Sequence, residues 1–325
     1  MTFGGKGFWE AIGKLSASEA ETLVGTALDA GVNFIDTADV YSEGESEILV
    51  GKALATLGRR EGIIVATKVR GRTGPGANQI GLTRKHIFEA IDASLARLKL
   101  DYIDLYQIHG VDIDTPIEET VRALDEVVRS GKVRYLGYSN LPAWLGMKAL
   151  AYADAQGFAR FVSAQMYYSI AGRDIEREVA PLAKDQGLAL FPWSPLAGGL
   201  LSGKFDIETG GPKGARRSSF DFPPVDKTRV ASVLTAMRPI ARDLSASVAQ
   251  VALAWLLTRP FVTSVIIGAK TREQLIDNLA SSELRLAPEH IKELDAVSAL
   301  PAEYPGWMVD WQDRERRPAG VITVK

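Results

Sequence analysis

Cysteine is absent from this chain, so disulfides and thiolate metal sites are excluded. Histidine is nearly as scarce. His86, His109 and His290 are the three present, and none has metal-ligand spacing to another, so no metal site is expected. No run approaches the roughly 18 uninterrupted apolar residues of a membrane span. Charge of one sign is also lacking: 38 Lys and Arg face 40 Asp and Glu, leaving a net −2. That balance gives no electrostatic pull toward nucleic acid. The first residues show no basic region followed by an apolar one, which argues against a secretory signal and for a cytoplasmic protein. Repeats, low-complexity tracts and domain boundaries are not visible, so one domain over 1–325 is expected, with a C-terminal tail at 300–325.

What is present is hydrophobic, at 46% of 325 residues, enough for a sizeable core. Short apolar runs predict strands at 33–38, 63–69, 103–109, 133–139, 161–167, 188–193 and 262–267. Amphipathic segments predict helices near 18–30, 45–57, 83–98, 117–130, 141–156, 176–186, 228–244, 247–258, 271–280 and 288–299. Strand–helix alternation at about 30-residue spacing implies parallel strands with crossover helices. The segment 194–227 is the one long loop, rich in Gly and Pro, and a loop of that length is usually either a functional lid or disordered.

Alternation alone fits an open doubly wound sheet or a closed barrel. The strand tips discriminate. Asp36, Lys68, His109, Ser139, Gln165, Trp193 and Gly268 fall at or just past successive strand ends. An open sheet feeds its site from a few strands at one switch point, whereas a barrel gathers every tip round one mouth. The expectation is therefore a (β/α)8 TIM barrel. Only seven strands are found. The first, before the helix at 18–30, has Met1–Phe3 alone to draw on, so it is expected to be truncated or missing.

Four residues suggest chemistry: Asp36, Tyr41, Lys68 and His109. Taken singly, a strand-end Asp caps turns, a Lys in an apolar run snorkels, and a lone His is structural. Together they make a set. Lys68 ends a strand of buried-type residues, and a buried ammonium needs a partner. Asp36 ends the adjacent strand, about 4.8 Å away. Tyr41, in the following loop, can reach the same cation. A cation within about 4–6 Å is expected to lower the pKa of a phenol. Such a tyrosine could protonate a developing alkoxide, with His109 donating to the same oxygen. That set suits carbonyl reduction, and since no side chain supplies hydride, a reduced nicotinamide is required.

The stretches GVNFIDTADVYSEGESEILVGKAL, ATK at 66–68, LDYIDLYQIHG, TPIEETVRALDEVVRSGKVRYLGYSN, SAQMYYSIAGRDIEREV, PWSPLAGGLLSGKF and IIGAKTREQLIDN resemble the aldo-keto reductase superfamily over nearly the whole chain. They are most similar to its general bacterial, potassium-channel-beta-subunit-like branch. The resemblance implies Tyr41 as proton donor, Lys68 and Asp36 as its tuning pair and His109 as the group orienting the carbonyl. It implies that Ser139, Asn140 and Gln165 hold the carboxamide and that Trp193 stacks on the nicotinamide. It places Ser194, Pro195, Leu196, Gly198 and Lys204 round the pyrophosphate, with Arg216 as a clamp. Gly268, Lys270, Gln274, Asp277 and Asn278 fall at the adenosine end, and Lys270 facing a 2′-phosphate implies NADP(H).

Two decoys fail. GGLLSGKF at 198–205 has Phe205 where a Walker A loop needs Ser or Thr. No G-x-G-x-x-G follows a predicted strand, so the Rossmann fingerprint is absent. Three readings follow: an NADPH-dependent reductase of aldehydes or ketones, a cofactor-binding regulatory subunit with little turnover, or an unrelated barrel enzyme. Substrate identity and oligomeric state are not legible.

Overall fold

The computed structural model describes residues 1–205, 217 and 220–316. Six parallel strands form one sheet in sequential order: β1 (Phe34–Asp36), β2 (Ile64–Val69), β3 (Ile103–Ile108), β4 (Val133–Ser139), β5 (Phe161–Tyr167) and β6 (Ala189–Trp193). Helices α1 (Ala17–Asp29), α2 (Glu45–Leu57), α3 (Arg84–Leu98), α4 (Ile117–Arg129), α5 (Ala143–Gln156) and α6 (Val179–Gln186) alternate with them. The chain continues through α7 (Lys227–Asp243), α8 (Val248–Leu257), α9 (Arg272–Leu279), α10 (Pro288–Val297) and α11 (Gly306–Arg316).

Local chemistry sets the helix ends. Ser16 and Ser247 close reciprocal capping boxes with Glu19 and Gln250. The side chains of Thr83, Asp226 and Thr271 accept from first-turn N–H groups of α3, α7 and α9. Helix α6 stops at Gly187 in the left-handed region, at φ 67°, where a side chain would be strained. One core runs from Val24 of α1 to Leu294 of α10, with Trp255 of α8 fully buried in it. Among the described residues, no single helix is long and apolar enough to cross a membrane.

The sheet is curled. In a flat sheet β1 and β5 would lie four strands apart, about 19 Å. Instead the Gln165 Nε2 of β5 donates to the Asp36 carboxylate of β1 at 2.8 Å. Phe34 of β1 and Phe191 of β6, at opposite ends of the ladder, bring their ring centroids to 5.1 Å. Ala66, Leu105 and Phe191 pack together inside the curl, against Phe34 and Ile266.

Two expected strands differ. Residues 262–267 form no strand. They run beside β6 through two main-chain bonds, Thr263 N to Leu190 O and Ile266 N to Pro192 O, both at 2.9 Å. The first strand is reduced to an isolated parallel bridge between Phe3 and Leu15, with Gly4 N donating to Leu15 O at 3.0 Å. Beside β6, the ladder is incomplete because Pro192 has no N–H to donate and the Leu190 N–H goes to the Thr263 hydroxyl at 3.1 Å. At the other end, residues 2–4 bond to Leu15. The ladder therefore has six strands, not the eight of the expected closed barrel. Of the long loop, residues 206–216 and 218–219 lie outside the described residues, and Arg216 with them. The tail is tied near the start of α6, where Arg177 pairs with Glu303 at 2.8 Å and donates to Pro301 O. Trp307 and Trp311 stay about half exposed, at 49% and 54%.

Gly51 of α2 marks a close helix contact. A Cβ there would stand 2.3 Å from Leu98 O and 2.7 Å from Leu98 C. Alanine in a helix interior is worth about 1 kcal/mol over glycine. Main-chain atoms cannot swing away as a side chain can, so overpacking should win. Gly51→Ala is expected to destabilise the protein by about 1–3 kcal/mol, read as a lower urea midpoint.

Candidate active site

The strand ends deliver the polar residues. Asp36 is the last residue of β1, Ser139 of β4 and Trp193 of β6. Lys68 of β2 is in register with Gln107 of β3, and Ser139 with Gln165 of β5. Parallel register puts each pair on one face of the sheet. His109 follows β3, its N–H bound to Val69 O at 2.8 Å.

Lys68 is the centre. Its side chain is fully buried, and its Nζ donates to Asp36 Oδ2 at 2.5 Å and to Thr37 O at 2.8 Å. The Tyr41 hydroxyl lies 3.4 Å from Lys68 Nζ and 3.4 Å from His109 Nε2. The other Asp36 oxygen accepts from Gln107 Nε2 at 3.1 Å and Gln165 Nε2 at 2.8 Å. Burial acts to lower the Lys68 pKa, but Asp36 and then Tyr41 outweigh it, and the net shift is upward. The ammonium stays charged.

Tyr41 does not follow the expectation that Lys68 would make it more acidic. Burial pushes the phenol above its usual value, and the pull of Lys68 does not cancel that. The physical reason is that the ammonium is shared with Asp36, whose negative charge also raises the phenol. His109 moves the other way. Burial, then the Lys68 and Arg70 cations, hold its imidazole well below the usual value, so it is neutral at physiological pH.

Beyond the centre, Ser139 Oγ donates to Gln165 O at 2.8 Å, and Asn140 Nδ2 donates to His109 O at 3.1 Å. The Trp193 indole N–H donates to Asn140 Oδ1 at 2.9 Å. Gln165 thus has its side chain turned to Asp36 rather than out to the mouth. Ser194 Oγ accepts from Gly198 N at 3.0 Å, while Pro195 is buried and Leu196 half-buried. Lys204 is exposed. Gln274 Oε1 accepts from Lys270 N at 2.9 Å. Both Asp277 oxygens are engaged, by Ser247 Oγ at 2.9 Å and Gln250 Nε2 at 2.8 Å, and Asn278 is buried. A cleft of about 760 Å³ lies between the 7–15 turn and Lys270, lined by Phe8, Glu10, Lys14 and Glu19 among others.

Left-handed backbone gathers at the loops after the strands. Ser42, Glu43, Asn140, Ser194 and Ala197 all have φ between 48° and 58° without being glycine. Such conformations cost about 1–3 kcal/mol each and concentrate at functional sites.

A buried lysine, its carboxylate, a phenol and a neutral imidazole at the ends of three neighbouring parallel strands make an acid–base set. A family model described as the aldo/keto reductase family matches residues 1–299. The chain belongs to that family. It is 39% identical over 284 residues to the uncharacterized oxidoreductase YrpG of Bacillus subtilis (strain 168), covering 85% of each chain. It is 37% identical over 300 residues to a probable voltage-gated potassium channel subunit beta of Oryza sativa subsp. japonica, covering 90% of this chain and 91% of that one. Against the versiconal hemiacetal acetate reductase of Aspergillus parasiticus it is 35% identical over 320 residues, with 90% of each covered. This aldo/keto reductase is accordingly an oxidoreductase in its general class.

Several residues of the site escape a reading of strand tips. Gln107 was detectable, since it alternates with His109 along β3 at the strand period of two. Trp9 was not: its ring meets Tyr41 at 4.9 Å from a turn far away in sequence. Phe222 stacks on Trp193 at 5.8 Å, Phe220 on Phe222 at 5.4 Å, and Phe8 meets Phe220 edge-on at 4.8 Å. Arg217, beside the undescribed Arg216, is buried and donates to Ala197 O from Nε at 3.2 Å and Nη2 at 3.0 Å.

Removing one partner of a buried ion pair leaves the other uncompensated. Lys68→Met should cost about 3–5 kcal/mol, and adding Asp36→Leu should restore part of it, measured by denaturant unfolding. The depressed pKa of His109 also sets a window. NMR of labelled imidazole should show no His109 titration from about pH 8 down to about pH 6, while an exposed histidine would titrate near 6.5.

Proposed function

We propose that this protein is an NADP(H)-dependent reductase of aldehydes or ketones, running reversibly, with Tyr41 as the proton donor. The observation that carries this reading is the Tyr41 hydroxyl, set 3.4 Å from both the Lys68 ammonium and the neutral His109 imidazole. In the same reading, the curled sheet is the larger arc of a (β/α) barrel that residues 2–4 and 262–267 complete.

The chain's residues suit a nicotinamide dinucleotide. Trp193 presents an aromatic at the end of β6, half-buried beside Asn140. Gly198 and Gly199 turn through φ 68° and 101°, a compact glycine turn after β6 whose N–H groups are held by Ser194 Oγ and Leu196 O. A Cβ on Gly268 would meet nothing within 4 Å, so the main chain there is open to close approach. Lys270 is an exposed cation lining the 760 Å³ cleft, and its charge would suit a 2′-phosphate. When bound, the reduced nicotinamide supplies the hydride.

The side chains then do the rest. A carbonyl oxygen placed between Tyr41 and His109 receives a hydrogen bond from each. As charge builds on that oxygen, the Tyr41 proton passes to it, and the electron pair of the broken O–H bond stays on the phenolate. Lys68 stabilises that phenolate, and Asp36 keeps Lys68 charged and in place. The raised phenol pKa is consistent with this role, because it keeps Tyr41 protonated at neutral pH, the form a donor needs. In the oxidative direction the same proton returns to Tyr41.

Likeness to a protein named as a channel beta subunit supports a second reading, a cofactor-binding regulatory partner. Turnover separates the two. Tyr41→Phe is expected to lower kcat by about 10²–10⁴-fold while NADPH still quenches tryptophan fluorescence with an unchanged Kd. Wild-type protein that binds NADPH but turns over no carbonyl in a broad panel would favour the regulatory reading. Lys270→Ala should weaken NADPH by about tenfold or more and leave NADH almost unaffected, as expected for loss of one charge-assisted contact.

A further inference from the structure

The turn that carries Tyr41 is held from behind by groups that the proposed mechanism does not use. Its backbone is unusual. Ser42, Glu43 and Gly44 follow one another in the left-handed region, at φ 51°, 57° and 88°. Two of the three are not glycine, and such conformations persist only where the surrounding structure over-determines them.

Both ends of the turn are tied to β2. Before it, Thr37 N donates to Ala66 O at 2.9 Å and Asp39 N to Lys68 O at 3.2 Å. After it, Glu47, in the first turn of α2, accepts from Thr67 Oγ1 at 2.6 Å. Thr67 precedes Lys68, and successive strand side chains point to opposite faces. Glu47 therefore grips the back of β2, behind the ammonium. The two ends are also clasped to each other, with Thr37 Oγ1 and Ser46 Oγ 2.9 Å apart. Glu47 has no exposed surface, and its second oxygen pairs with Arg97 Nε of α3 at 2.6 Å. Arg97 lies against the turn itself: a Cβ on Gly44 would stand 2.8 Å from Arg97 Cδ and 3.0 Å from its Nε. Glycine at 44 thus meets two needs, a positive φ and room for the arginine arm.

We propose that Glu47 is a positioning residue for Tyr41: by joining Thr67 to Arg97 it fixes the Ser42–Gly44 turn against β2 and α3, and so sets the Tyr41 hydroxyl between Lys68 and His109. The proposal rests on the reading of Tyr41 as proton donor. At 3.4 Å from each partner the hydroxyl is near the limit of hydrogen-bond reach, so a small shift of the turn loses both contacts. Lys68 is held by Asp36, and His109 by its main-chain bond to Val69 O, neither of them through Glu47. A loosened turn therefore moves Tyr41 and leaves its partners in place.

The test uses Glu47→Gln, which keeps the volume and one acceptor but removes the charge that Arg97 meets. The Arg97 side chain is 23% exposed, so its guanidinium can turn to water. Thr67→Val removes the other tie, keeps the ion pair and serves if the first variant does not fold. Nitrogen-15 NMR of the His109 imidazole needs neither turnover nor cofactor. Each folded variant should move the His109 Nε2 signal toward its position in Tyr41→Phe, with His290 unmoved. A His109 signal unchanged from wild type in either folded variant would overturn the proposal, whether or not the protein reduces carbonyls. In turnover, Glu47→Gln should lower kcat by about 10–10²-fold, as for a misplaced donor, with the carbonyl KM and the NADPH Kd within about twofold of wild type. A lower Tm with unchanged kcat would show a brace for the fold alone and would also overturn it. Wild-type protein without turnover would sink the activity reading instead, and the His109 signal would still decide this one.

Discussion

A charged ammonium with no exposed side-chain surface is the constraint round which this protein is arranged. Lys68 must be compensated where it lies, and Asp36 and the Thr37 carbonyl do so. That requirement fixes more than one pair. Asp36 also accepts from Gln107 and Gln165, so a single carboxylate touches groups from β2, β3 and β5. Those strands could not meet on one carboxylate in a flat sheet. The curl of the sheet and the charge state of the lysine are thus two aspects of one interaction, and the polar floor it makes is what Tyr41 and His109 stand on.

Burial has opposite consequences for the groups on that floor. It raises Tyr41, lowers His109, and is overruled only at Lys68. The outcome is a protonated phenol and an uncharged imidazole 3.4 Å apart, with the Lys68 ammonium beneath. A site of that kind favours negative charge appearing on an oxygen above it. Loops in left-handed conformations, from Ser42 to Ala197, surround it, and the strain they carry is held by the packed strands below.

Most of this was legible in the sequence where periodicity or strand ends carried it. Six strands, the alternating helices and the positions of Asp36, Lys68, His109 and Trp193 follow from local patterns. The apolar run at 262–267 reads as a strand as plainly as the others. It forms none, because a strand is a property of pairs: on β6, Pro192 has no N–H to give and the Leu190 N–H goes to the Thr263 side chain. The direction of the Tyr41 shift was misjudged for a similar reason. Proximity to a cation is visible in spacing, but the depth of burial and the sharing of that cation are not. Trp9, Phe220 and Phe222 left no local signal, since their relation to Tyr41 and Trp193 exists only across the fold. Likewise Asp277 resembles a ligand in its motif, yet its oxygens brace the start of α8.

The run of ring contacts from Tyr41 through Trp9, Phe8, Phe220 and Phe222 to Trp193 joins the first turn of the chain to the loop beyond β6. Each segment's rings are packed against the other's. A graft of the loop from a relative would bring its rings against an unmatched turn, so preference for a guest molecule should travel between homologues only when both segments are exchanged together.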